Sequence, residues 1–127
     1  MTRVASLLTL AAAAVALCAC EKQVEAPMQR GACWQVVARS GKIAFNKVSD
    51  NEPRIESCAA SLEAMRLRFL SMGGSAESID GAYQGEFLFL RPQAIFTSTS
   101  LKGARYPLLL RTPDGDLAKL GAGPPGP

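Results

Sequence analysis

Histidine is absent from all 127 residues. The gap removes the commonest general base and the commonest metal ligand, so neither a Ser-His-Asp nor a Cys-His site can be built. Charge of either sign is also in short supply: 14 Lys and Arg against 11 Asp and Glu leave a formal +3. An imbalance this slight gives no electrostatic footprint for nucleic acid, and none is expected as a partner. No CxxC, HExxH, P-loop or GxGxxG pattern occurs. Zinc, dithiol-redox and nucleotide readings therefore lack their starting point, and no cofactor or metal is expected.

What the chain does have is four cysteines, unevenly placed, and a length that allows one small domain. Cys18 and Cys20 close an apolar run near the N-terminus; Cys33 and Cys58 lie further along. Arg3 supplies one positive charge, then Val4 to Ala19 is uncharged for 16 residues before Glu21 and Lys22. At about 1.5 Å per residue such a run spans roughly 24 Å, short of the ~30 Å hydrocarbon core, and fits a secretory signal peptide better than a spanning helix.

The end of that run, Leu17-Cys18-Ala19-Cys20, resembles the bacterial lipobox, with Leu17 at −3, Ala19 at −1 and Cys20 as the lipid-bearing cysteine. The resemblance implies a signal peptide over 1–19, cleavage before Cys20, and a membrane partner reached through an N-terminal lipid. Cys18 is an unusual occupant of −2. Glu21 stands where Asp marks inner-membrane retention, so the resemblance leans to the outer membrane, with the protein facing the periplasm. Two other readings of the run are open: cleavage after Ala14-Val15-Ala16, which releases a soluble periplasmic protein with all four cysteines, and a retained anchor.

Residues 20–30 are polar, contain a proline and have no period, and read as a tether. Residues 121–127, "GAGPPGP", cannot join a core and read as a disordered tail. The folded unit is then 31–120. Cys33 to Ala38 and Ile43 to Val48 are β-prone runs around Arg39-Ser40-Gly41-Lys42, a hairpin signal. Asn51 or Glu52 is placed at a helix cap, with Pro53 in the first turn. From Pro53 to Met72, apolar residues at Ile55, Cys58, Ala59, Leu62, Met65 and Phe69 keep helical spacing, and Gly73-Gly74 ends the run. Ile79 to Tyr83, Glu86 to Leu90, Ile95 to Ser100 and Tyr106 to Arg111 return to strand character. The expected fold is α+β and two-layer: one long helix packed on an antiparallel sheet of about four to five strands, in the order ββα then βββ(β).

With Cys18 discarded and Cys20 lipidated, Cys33 and Cys58 remain as an even pair in an oxidising compartment, where a disulfide is expected. Closing a loop of about 26 residues contributes on the order of 3.5 kcal/mol in the chain-entropy model. Trp34 beside Cys33 is expected to pack on that disulfide. Arg66 breaks the helix stripe on the face turned to the sheet, where it either snorkels outward or meets Glu63 one turn back. "GAYQGEF", Gly81 to Phe87, places Tyr83 and Gln84 at a hairpin tip; with Asp80 and Glu86, and with Arg66 as a further candidate, these residues form a possible recognition surface for a glycan or a partner strand. Asp80, Glu86 and Asp114 are the carboxylates an envelope enzyme acting on glycan would use, and a Phe87/Phe89 strand edge would dock an accessory subunit to a membrane complex. No catalytic residue is assigned.

An aromatic-led strand, the helix "AASLEAMRLRFLSMGG" and a tyrosine-bearing strand are similar to one half of the peptidoglycan-binding sporulation-related repeat domain. The similarity stops after Phe87, where the second helix of that βαββαβ fold has no counterpart. The run from Cys33-Trp34 through "IESCAASLEAMRLR" to "GAYQGEF" also resembles small bacterial envelope proteins, which implies a location without an activity. The reading as a whole is a non-enzymatic, lipid-anchored protein of the cell envelope that binds or positions another envelope component, an envelope protein or a glycan.

Overall fold

The computed structural model describes residues 23–75 and 77–119. The signal peptide expected over 1–19, Cys18, Cys20 and the tail at 121–127 lie outside the described residues. The elements follow in the order β1 (Cys33–Arg39), β2 (Lys42–Ser49), α1 (Ile55–Ser71), β3 (Ile79–Tyr83), β4 (Glu86–Leu90), β5 (Ala94–Ser98), β6 (Tyr106–Arg111) and β7 (Leu117–Lys119). All seven strands join one sheet, ordered β2-β1-β3-β4-β5-β6-β7, and every neighbouring pair is antiparallel.

This corrects the expected architecture. The protein is mostly antiparallel sheet, and the helix is an element of 17 residues, not a long layer over four or five strands. Seven strands at about 4.8 Å span roughly 29 Å, whereas a helix is about 10–12 Å across, so one helix covers only part of one face. Here α1 packs mainly on β1 to β4. The strand count was underestimated because β7 is only Leu-Ala-Lys, too short to show alternation, and because all strands merge into one sheet. The helix also starts later than expected. Arg54 occupies the N-cap in extended conformation without a side-chain cap, and Pro53 precedes the helix. Glu52, expected as a cap, instead accepts hydrogen bonds from the Ser49 and Ser61 hydroxyls at 2.8 and 2.6 Å, tying the β2–α1 loop to the helix.

Local chemistry explains the two tight hairpins. Ser40 and Gly41 (φ 51° and 77°), and Gln84 and Gly85 (φ 43° and 85°), are consecutive left-handed residues. Two such residues form the connection whose twist matches that of paired strands. Between β2 and β3 the chain crosses over through α1, so β1 lies between two strands that run parallel to each other.

The pleat gives the sheet two apolar faces. Between helix and sheet, Cys58, Ala59 and Leu62 of α1 pack on Cys33, Ile79, Tyr83, Leu88, Leu90, Ile95 and Leu109. Gly81 sits at the closest approach of helix and sheet: a side chain there would meet Leu62 Cδ1 and come within 2.9 Å of the Trp34 carbonyl oxygen. The opposite face carries Val36, Ala82, Phe87 and Phe89, fully or nearly buried, with Trp34, Ile43, Phe45, Phe96 and Leu101 partly exposed around them. Part of its cover comes from the segment read as a tether. Ala26 is buried in this second cluster, and the Pro27 carbonyl accepts a hydrogen bond from the Gly85 N–H at 3.0 Å.

Candidate functional site

Cys33 and Cys58 form a disulfide with Cα atoms 5.3 Å apart, and both residues are fully buried. Cys33 opens β1 and Cys58 sits in the first turn of α1, so the bond joins the helix to the sheet at the hairpin-tip end of β3. Trp34 does not pack on it as expected. Successive strand residues point to opposite faces, so Trp34 belongs to the second cluster while Cys33 belongs to the first.

The five residues read as a recognition surface are not gathered into one site. Tyr83 is buried, and its hydroxyl donates to the Glu52 carbonyl at 2.6 Å. The Gln84 side-chain oxygen accepts from the Gly31 N–H at 2.8 Å. Glu86, opposite Tyr83 in the ladder, accepts from the Thr97 hydroxyl at 3.0 Å. Asp80 lies on the other face of β3 and pairs with Arg91 at 2.8 Å. Only Tyr83, Gln84 and Glu86 share a surface feature, an open groove of about 330 Å³ closed on its other side by Arg54 and Ile55. Asp114 sits in the turn between β6 and β7. The three carboxylates therefore do not converge, and among the described residues no group of three or more Cys, Asp and Glu comes together to hold a metal. The expected docking edge is corrected as well: Phe87 and Phe89 are buried on β4, the central strand of the seven.

Arg66 finds the partner anticipated for it. Its guanidinium bonds Glu63 through Nε at 3.1 Å and through a terminal nitrogen. Arg111 was not anticipated: it reaches from the end of β6 to hold both Glu63 oxygens at 3.0 and 2.8 Å and donates through Nε to the Arg91 carbonyl at 2.9 Å. Sequence offers no signal for that contact, since Glu63 and Arg111 are 48 residues apart. Burial pushes the Glu63 carboxyl upward, but the hydrogen bonds and charges of Arg111 and Arg66 outweigh it and hold the group below the ordinary carboxylate value. All three side chains are about nine-tenths buried and satisfy one another, which makes the triad a clamp between α1 and β6.

The feature that sequence reasoning missed is the second face. Four of the five phenylalanines and the lone tryptophan meet there: Trp34, Phe45, Phe87, Phe89 and Phe96. The Phe45 and Phe87 rings stack with centroids 6.4 Å apart. Three cations lie over these rings: Lys47 over Trp34 at 5.3 Å, and Arg91 and Arg105 over Phe89 at 5.5 and 3.7 Å. The alternation was visible in Trp34/Val36 and Phe87/Phe89, but it takes the register of β1 to β5 to place those residues side by side. No protein-family model, curated protein or solved structure matches the chain.

Proposed function

We propose that the protein is a non-enzymatic lipoprotein of the bacterial cell envelope, anchored through Cys20 and presenting a disulfide-stapled sheet domain to another envelope component. The observation that carries this reading is the Leu17-Cys18-Ala19-Cys20 stretch at the end of an uncharged run. Two features of the domain support it. A fully buried disulfide suits an oxidising compartment. The dispersal of Asp80, Glu86 and Asp114, in a chain without histidine, favours binding or positioning over catalysis. The test is labelling with a palmitate analogue of cells producing the parent and Cys20→Ser. The parent takes up the label and Cys20→Ser does not; an unlabelled parent, or equal labelling of both, would refute anchoring at this cysteine.

A further inference from the structure

We infer that the aromatic face, with Lys47, Arg91 and Arg105 over its rings, lies against the anionic headgroups of the bilayer that carries the anchor; this rests on lipidation at Cys20. Chain length is the first argument. Ala26 is seated on this face, six residues after Cys20. Six residues span at most about 20 Å, so a lipidated Cys20 holds this side of the sheet close to the membrane surface. Surface chemistry is the second. Trp34, Phe45 and Phe96 are partly exposed beside Lys47 and Arg105, which are exposed, and Met28 on the incoming strap is 75% exposed. Partly exposed rings with adjacent cations suit the headgroup layer, where apolar ring edges leave water and a guanidinium meets phosphate. Charge is the third. Asp50 and Asp80 are paired with Lys47 and Arg91, and among the described residues no carboxylate pairs with Arg105. Glu25, next to Ala26 on the strap, is exposed and carries the opposite charge.

Because Trp34 is the single tryptophan, it reports the face directly. Full-chain protein purified from membranes is reconstituted into vesicles of phosphatidylcholine and phosphatidylglycerol carrying a spin label either on the headgroup or at the acyl-chain end. Intact mass establishes the lipid on Cys20 in the same sample. The expected result is quenching of Trp34 by the headgroup label, weaker quenching by the deep label, and loss of much of the headgroup quenching in Arg105→Glu. Arg68→Glu, an equal charge change on exposed surface of the helix, leaves the quenching unchanged. Lipidated protein whose Trp34 is not quenched, or in which Arg68→Glu matters as much as Arg105→Glu, would overturn the inference while leaving the anchor intact. A crosslink joining two copies through this face would also overturn it, in favour of a dimer. A chain without lipid would remove the reading on which the inference rests.

Discussion

Replacing Glu63 by glutamine isolates the clamp between helix and sheet. The carboxylate accepts five hydrogen bonds from two guanidiniums, whose side chains are each only 11% exposed. Removing one member of a buried ion pair costs about 3–5 kcal/mol when the remaining charge has no escape. Here Arg66 and Arg111 retain a path to solvent, and Arg111 keeps its bond to the Arg91 carbonyl. The expected loss is therefore about 2–3 kcal/mol, or roughly 10–20 °C in melting temperature for a domain of this size. Thermal and urea unfolding under non-reducing conditions measure it. Acid makes a second, independent readout. A carboxyl held below its ordinary value contributes stability that is fully present above the unfolded-state pKa of about 4.3 and is lost as pH falls through the folded value. The parent should thus lose stability more steeply on acidification than Glu63→Gln. A Glu63→Gln protein within about 0.5 kcal/mol of the parent, with the same acid limb, would refute the clamp, since that is the range of ordinary surface substitutions.

Cys58→Ser removes a cross-link between residues 25 apart and should cost about 3.5 kcal/mol by loop entropy, read as a lowered urea midpoint; an unchanged midpoint would show that the bond does not staple the domain. Gly81→Ala drives a methyl group into Leu62 and the Trp34 carbonyl and should destabilise by about 1–3 kcal/mol, whereas Gly41→Ala, with open space around it, should lose only what its left-handed backbone imposes. Tyr83→Phe deletes the hydroxyl that donates to the Glu52 carbonyl and should cost about 1 kcal/mol, with amide exchange accelerating first in the β2–α1 loop.

Local signals in the sequence were strong wherever a structural decision is itself local. The hairpin of β3 and β4 falls where Ile79–Tyr83, Gln84-Gly85 and Glu86–Leu90 placed it, because two residues able to take positive φ between alternating runs decide the turn within six residues. The helix end at Gly73, with φ of 86°, was equally legible. Failures came where the deciding partner is remote. Phe69 keeps the helical spacing of a core residue yet is 40% exposed, because the stripe continues past the part of α1 that the sheet covers. Glu52 looks like a cap but is a brace, because Ser61, nearly two turns into the helix, offers its hydroxyl. Trp34 was assigned to the disulfide by adjacency along the chain, whereas a strand sends neighbours to opposite faces. The same limit hid the candidate site: Trp34, Phe45, Phe89 and Arg105 share a surface only through the register of five paired strands and a returning loop.

On the proposed reading the four cysteines have three fates: Cys18 is discarded and Cys20 lipidated, while Cys33 is bonded to Cys58 in the structure. Intact-mass analysis of protein extracted from membranes, with alkylation before and after reduction, tests all three at once. The account predicts a chain beginning at Cys20 with a diacyl or triacyl increment, no alkylation before reduction, and two alkylated cysteines after it. A chain beginning at Leu17 without lipid, carrying four alkylatable cysteines after reduction, would contradict it.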